Sequence, residues 1–486
     1  VLNKKILIAL IGAVLSACTM APTYQRPLLP TLAQWPTGAA YKPAEDRSGN
    51  AAEIGWRTFF VNPALQQLID IALKNNRDLR IATLHIEKAR AEYQITQADL
   101  FPSIAASGTG THQRVPNNMS VGGQHTISRQ YSAGVGFSAY ELDFFGRVRS
   151  LKDQALALYY ASVEAQRSSH IALVAEVANA YLTLLANTAS LRLAKDTRIS
   201  QEASYQLAKH SFKAGVTSAL DFSRAQTTVE TARADEALYL SRVAQAQNAL
   251  AVLLGSALPD DLPLDTDLNQ VHLLTELPVG LPSDLLQQRP DILAAEQKLK
   301  AANANIGAAR AAFFPSIVLT ANAGAASTAL SQLFKAGSGA WSFIPQITLP
   351  LFTAGKNKAN LDSAHIAKDI TVAEYEKTIQ VAFKEVADTL AQRSTLMDQL
   401  AARQALSKAT AKAYHLAKLR YEHGVDTYLS LLDTQRSLYS AQQQLISTKL
   451  SQLNNLVNFY KALGGGWSAN TVGQPAPTSA LKAELQ

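Results

Sequence analysis

Cysteine is nearly absent: Cys18 stands alone in 486 residues, so no disulfide can form within the chain. Charge is sparse, with Asp, Glu, Lys and Arg at 17% of residues, and aromatic residues reach only 7%. Ala, Leu, Gln and Ser fill the space, a composition suited to long helices packed closely through small side chains. The net charge of +7 includes no basic run, because Lys and Arg are scattered among Glu and Asp, and this argues against a nucleic-acid surface. No HExxH, CxxC, GxSxG or P-loop occurs and the nine histidines are dispersed, so neither an enzyme nor a metal or cofactor site is expected. Gly464-Gly465-Gly466 follows a helix and reads as a C-cap and breaker, not a phosphate loop. Beyond the N-terminal segment there is no uninterrupted run of about 18 apolar residues, the length a membrane-spanning helix needs.

The first eighteen residues read as an address. Lys4 and Lys5 form a basic start, Ile6 to Val14 an apolar core, and Leu15-Ser16-Ala17-Cys18 a small-residue cleavage site ending in cysteine. The pattern resembles a bacterial lipoprotein signal over residues 1–17, with Cys18 becoming a covalently lipidated N-terminus. By the same resemblance, Thr19 in place of an acidic residue points to the outer membrane. Without a spanning helix, a chain sent there crosses as strands or hangs from its lipid.

The chain then contains one unit twice. Phe101-Pro102-Ser103-Ile104 returns as Phe314-Pro315-Ser316-Ile317, Phe212-Lys213-Ala214-Gly215-Val216 as Tyr421-Glu422-His423-Gly424-Val425, and Leu254-Gly255 as Leu463-Gly464. An offset near 209 residues relates the copies, which marks a tandem duplication. The expected organisation is a lead segment 18–62, repeat one 63–255, a linker 256–283, repeat two 284–464 and a tail 465–486. Each repeat reads as helix, two strands, very long helix, tight turn, helix. Apolar periodicity predicts one helix over 64–99, strands near 103–113 and 129–144 around a loop with Pro116, Asn117, Asn118, Gly122 and Gly123, then a helix from about 146 to 211. The second copy predicts a long helix from about 355 to 420. At 1.5 Å per residue such helices are about 98 Å long. Two short helices end to end match one long one, so the strands are expected at one end of a rod and the Gly215-Val216 and Gly424-Val425 turns at the other. Linker, lead and tail are expected to wrap midway.

The strands alternate. Tyr131, Ala133, Val135, Phe137 and Ala139 oppose Ser132, Gly134, Gly136 and Ser138, while Trp341, Phe343, Ile347, Leu349 and Leu351 oppose Ser342, Gln346 and Thr348. Strands of this length cross a bilayer when tilted. An ordinary half-buried soluble sheet alternates in the same way. In lipid, four strands leave unpaired edges, so chains must associate; three chains would give about twelve strands and a lumen suited to the small polar face.

Gln288-Arg289-Pro290-Asp291-Ile292, the paired Phe-Pro-Ser strand starts, Arg420-Tyr421 with Gly424-Val425-Asp426, Leu431-Leu432-Asp433-Thr434-Gln435-Arg436 and Tyr460-Lys461-Ala462-Leu463-Gly464-Gly465-Gly466-Trp467 occur in this order. Together they resemble the TolC-like outer-membrane factors, in the lipoprotein branch of multidrug-efflux exit ducts, over essentially the whole chain. The resemblance implies an α+β membrane protein: a homotrimeric twelve-stranded β-barrel, four strands per chain, continued by a long periplasmic α-helical barrel. It further implies a passive exit duct for drugs or other small toxic compounds, docking to a periplasmic adaptor and through it to an energised inner-membrane pump of the RND or another type. An exit duct for type I protein secretion remains open, as does a lipid-anchored periplasmic coiled-coil scaffold that conducts nothing.

A gate at the helical tip must come from residues near the turns. Arg420, Tyr421, Asp426, Leu429 and Asp433 lie within about two helical turns of the second bend. The resemblance places the constriction at Leu429 and Asp433 and gives Arg420 and Tyr421 the role of holding neighbouring hairpins together. Threefold symmetry would make Leu429 an apolar ring and Asp433 a carboxylate ring that favours cations. Asp221 and Arg224 take corresponding places in the first hairpin, and Gly215, Val216, Gly424 and Val425 form the docking tips. Blander readings stand beside these: Asp426 as a helix N-cap, Arg420 as a cation answering a helix C-terminus, Leu429 as hairpin packing and Asp433 as a solvated charge.

Overall fold

A computed structural model describes residues 19–41, 50–116, 118, 126–262 and 267–471. Its main helices are α1 (Pro63–Asn75), α2 (Arg77–Ala98), α3 (Arg147–Lys213), α4 (Ala219–Leu254), α5 (Pro290–Ala311), α6 (Lys356–Glu422) and α7 (Tyr428–Ala462). Four strands, β1 (Ile104–Val115), β2 (Thr126–Leu142), β3 (Ser316–Ser327) and β4 (Gly339–Thr348), form one antiparallel sheet in the order β1-β2-β3-β4. Both long helices, α3 and α6, have 67 residues, and each end of α6 lies 209 residues after the matching end of α3. Cys18 and the residues before it fall outside the described residues, as do Asn117, Gly122 and Gly123 of the expected loop.

The chain divides into two compact units, each assembled from both repeats: residues 1–28, 85–163 and 294–375 in one, and 29–84, 164–293 and 376–486 in the other. The first holds the sheet, and the second holds both hairpin turns. α3 contains a stretch long and apolar enough to cross a membrane, although no run of it is wholly apolar; 61% of that stretch is buried within the protein. Its apolarity has a packing cause, since Val174, Val177, Tyr181 and Leu184 are core residues.

The expected helix over 64–99 is two helices. At Asn76 the backbone turns extended, the side-chain oxygen accepts from Leu79 N at 2.9 Å as a cap, and the amide donates to the Leu253 carbonyl at 2.9 Å. Apolar spacing runs through the break, so periodicity alone hides it. The second repeat breaks at Arg289, extended as residues before proline are. Each break receives the end of its own repeat's returning helix. Gly255 (φ 65°) and Gly464 (φ 84°) are left-handed, and a Cβ on Gly255 would overlap the Asn75 carbonyl, while one on Gly464 would sit 3.0 Å from the Gln288 carbonyl. The repeated Leu-Gly pair is therefore a close backbone approach that only glycine permits.

The second unit's core stacks Phe59 on Tyr460 at 4.1 Å, with Trp56, Phe60, Leu65, Leu68 and Phe459 fully buried around them. Lead, linker and tail segments meet there: Trp35 Nε1 donates to the Gly280 carbonyl at 2.9 Å, Leu274 N to Phe59 at 3.1 Å, and Trp56 N to Ser468 at 2.9 Å.

Candidate functional site

Side chains of directly paired residues share a sheet face. In one row Ile104 pairs Phe137, which pairs Ala321, which pairs Phe343; in the next, Ala106, Val135, Ala323 and Trp341 align. This face is apolar, and Trp341 on it is 81% exposed. On the opposite face, Ser107, Gly134, Gly324 and Ala340 align, as do Thr109, Ser132 and Ala326, and Gly136, Asn322 and Ser342. Thr109 and Ser132 hydroxyls are joined at 2.6 Å.

The alternation expected through Ala139 does not hold to the end of β2. The β2–β3 register shifts between Phe137 and Tyr140, Ala139 takes φ 56°, and its N–H donates to Thr320 Oγ1 at 3.3 Å. The bulge inverts the parity. Tyr140 and Leu142 now share the apolar face with Leu319 and Ile317, and Glu141 turns to the other, where Arg147 meets it at 2.5 Å and 2.9 Å. Leu349 and Leu351, expected on the strand, lie beyond the end of β4.

At the hairpin turns, Gly215 (φ 75°) and Gly424 (φ 70°) end the long helices in left-handed conformation. Val216 N donates to the Ser211 carbonyl and Val425 N to the Arg420 carbonyl, each at 2.9 Å, the 6→1 closure of a Schellman motif. Val216 and Val425 are 80% and 63% exposed. Ser218 caps α4, donating to Asp221 Oδ2 at 2.7 Å and accepting from Asp221 N at 3.1 Å; Arg224 stands 3.5 Å from the other carboxylate oxygen.

Thr427, not Asp426, caps α7, because Thr427 takes the extended backbone of a cap and accepts from Ser430 N at 3.4 Å. Asp426 gathers three donors instead: Thr427 N at 2.7 Å, Arg420 Nε at 3.1 Å and Ser430 Oγ at 3.3 Å. The Thr427 N–H and then Arg420 hold its carboxyl below the usual range. Arg420 is thus paired within its own hairpin. Tyr421 lies 5.7 Å from Tyr428, and burial, then the nearby Asp221 carboxylate, push its phenol up. The Tyr428 phenol lies beside the Thr228 hydroxyl, so the two hairpins meet here. Leu429 and Asp433, one turn apart on α7, are exposed on the face away from buried Leu431, Leu432 and Gln435. Among the described residues, neither takes part in the polar contacts of Asp221 or Asp426, and Asp433 has no ion-pair partner.

Sequence reasoning missed a polar seam above these residues. Gln435 reaches Ser200 at 3.3 Å, Tyr439 donates to Asp235 at 3.0 Å, and Gln443 donates to Tyr239 at 3.4 Å. The signal was available: Gln435, Tyr439 and Gln443 recur every four residues on one face of α7. Among the described residues, no group of three His, Cys, Asp or Glu side chains forms a metal site.

The chain is a duplicated unit of strand pair and long helical hairpin, with one two-faced four-stranded sheet whose outer strands pair with no further strand among the described residues. The chain belongs to the outer membrane efflux protein family, whose profile matches residues 68–256 and 281–465. Two proteins of Pseudomonas putida, the antibiotic efflux pump outer membrane protein ArpC and the toluene efflux pump outer membrane protein TtgC, are each 55% identical over 466 residues, covering 96% of both chains. The crystal structure of the open state of the Neisseria gonorrhoeae MtrE outer membrane channel superposes with a TM-score of 0.84 at 42% identity, covering 93% of this chain and all of that one.

Proposed function

We propose that the protein is the outer-membrane exit duct of an efflux machine, a trimer whose twelve strands close one barrel. The observation that carries this is the open, two-faced sheet. Among the described residues, β1 and β4 each have one edge without a partner strand, and unpaired backbone groups in lipid cost several kcal/mol each. Two copies would make a barrel filled by its own side chains; three leave a lumen. The Ser, Gly, Thr and Asn face suits water, and the Trp341, Phe343 and Ile104 face suits hydrocarbon. Cargo of the antibiotic or solvent class is taken from the two P. putida relatives. The duct carries no energy source of its own, so an inner-membrane pump delivers cargo through a periplasmic adaptor that docks at Gly215-Val216 and Gly424-Val425. Cys18 supplies a covalent lipid anchor in the outer membrane.

Exposed Leu429 and Asp433 form the periplasmic gate, an apolar ring and a carboxylate ring around the threefold axis. Arg420 with Asp426 stiffens the turn beside them, and Tyr421 with Asp221 and Arg224 ties the second hairpin to the first. Single-channel conductance in a planar bilayer tests this reading. Wild type should give small, cation-preferring currents, and Leu429→Ala/Asp433→Ala should raise conductance several-fold with weaker cation preference. Equal currents would move the gate elsewhere, and no current from inserted protein would reject the duct.

A further inference from the structure

Along the apolar face of the sheet the side chains change character. On β2 the series runs from Leu142 and Tyr140, at the α3 end, through Phe137, Val135 and Ala133 to Tyr131 and Arg129. Opposite Arg129 on β1 is His112, and two residues beyond it Arg114 faces Ile127. Paired residues share a face and alternate residues return to it, so Arg129, His112 and Arg114 stand on the face of Phe137 and Val135. Cβ atoms are about 5 Å apart across a direct pair and about 7–8 Å apart on the diagonal, so all three side chains can meet on one small anion. All three are exposed, and the Tyr131 hydroxyl meets His112 Nε2 at 2.9 Å. β3 stops pairing at Tyr131, so these residues occupy the end of the β1–β2 hairpin that reaches beyond β3.

Among the described residues this cluster has no counter-charge: neither Arg114 nor Arg129 has a carboxylate partner. Residues 101–140 and 312–361, which hold the sheet up to Tyr140 and both of its hairpin loops, contain no Asp or Glu. At the other end of β2 the charges are matched, Glu141 with Arg147 and Asp143 with Arg149. Like charges on neighbouring strands repel, so the arginines weaken the hairpin unless an anion lies between them.

Height along the strand identifies the anion. Once the extra residue of the bulge is discounted, Leu142 to Arg129 is about twelve residue steps, or about 41 Å of strand and about 29 Å of bilayer at a 45° tilt. The hydrocarbon core is about 30 Å thick. With Leu142 at one boundary, Tyr131 reaches the other interface, where phenols settle, and the arginines stand at the level of headgroup phosphates. A water-borne anion would meet the polar face as readily, whereas these cations continue the face that meets hydrocarbon. Resting on the barrel proposed above, we infer that His112, Arg114 and Arg129 form a binding site, one per chain, for the phosphate of an outer-leaflet lipid. The guanidinium forks take the phosphate oxygens, and the acyl chains lie along Tyr131, Ala133 and Val135.

Native mass spectrometry of the full, assembled protein in detergent, titrated with diphosphoryl lipid A, tests this. Wild type should saturate at one lipid per chain. Arg114→Gln/Arg129→Gln should weaken the apparent Kd about thirtyfold, and each single variant about fivefold, which keeps the test open should the pair fail to assemble. Lys408→Gln/Lys412→Gln makes the same charge change on exposed positions of α6 and should bind like wild type. Equal affinity in wild type and the arginine variants overturns the inference. So does equal weakening by the α6 variant, which would reduce the binding to net charge. Displacement by inorganic phosphate at concentrations comparable to the lipid would make this a free-anion site and overturn the lipid assignment. Heat-modifiable gel mobility scores assembly separately. Wild type that never assembles would reject the barrel and this site with it, whereas assembled wild type whose lipid binding ignores both arginines rejects the site alone.

Discussion

Gly324→Val should abolish assembled protein in the outer membrane, while Gly110→Ala in the same sheet leaves it at the wild-type level. Gly324 of β3 pairs Gly134 of β2 and Ala340 of β4, between two neighbours. A Cβ at Gly324 would overlap the Ala133 carbonyl oxygen and the Gly134 Cα, backbone atoms that no rotamer change moves aside. Gly136 faces the same obstacle in the Ala321 carbonyl, whereas a Cβ at Gly110 meets only the ring of Tyr131 at 3.4 Å, and one at Gly108 meets Ser132 O at 3.9 Å. Overpacking a well-packed core costs about 1–3 kcal/mol. Here the strands must separate, and each backbone group they release in lipid costs several kcal/mol more, against a total stability of about 5–15 kcal/mol. Heat-modifiable gel mobility of membrane fractions separates the outcomes. Full assembly of Gly324→Val would mean that β2 and β3 do not pair as described.

Where a pattern is carried by many residues in local order, the sequence reveals it. The offset of 209 residues, the two 67-residue helices and the turns at Gly215 and Gly424 rest on dozens of periodic positions and on glycines at left-handed sites. The details that failed turn on single choices. Ala139 continues the odd-numbered apolar series on paper, but whether a strand carries an extra residue depends on what it pairs with, and Thr320 lies 181 residues away. Asn76 reads as a tolerable helix residue until the Leu253 carbonyl arrives to bind its amide. Between Asp426 and Thr427 both side chains are good caps, and Arg420, by engaging the first, leaves the second to cap. Arg289 was visible as part of a motif, but its partner Glu385 sits on another helix, and no local spacing links them.

Cutting the hooks that hold residues 19–26 should release that strap without unfolding the helices beneath it. The strap runs along α5, where Glu296, Asn303 and Arg310 recur every seven residues on one face. Arg310 donates to the Met20 carbonyl at 3.3 Å, Asn303 to the Pro22 carbonyl at 2.7 Å, and Glu296 accepts from Tyr24 at 3.1 Å and Arg26 at 2.7 Å. Gly307 lets the strap press close, since a Cβ there would lie 2.7 Å from Ala21 N. Glu296 is nearly buried, so Arg26→Ala leaves its carboxylate with Tyr24 and, at 3.4 Å, Lys300. Losing a hydrogen bond to a buried charge costs about 1.5–3 kcal/mol, which corresponds to roughly 10- to 150-fold faster amide exchange over residues 20–26. Burial pushes the Glu296 carboxyl up, but the Arg26 hydrogen bond and the Lys300 and Arg26 charges outweigh it and hold it below the ordinary value of 4.5. A depressed folded value gives stability that is complete above the unfolded value and lost as pH falls through the folded one. Intrinsic-rate-corrected exchange of the wild-type strap should therefore be flat from about pH 8 to 5 and rise in more acid solution. Glu296→Gln should be faster throughout and lack that acid rise. An acid rise that survives Glu296→Gln would assign the acid sensitivity to another group.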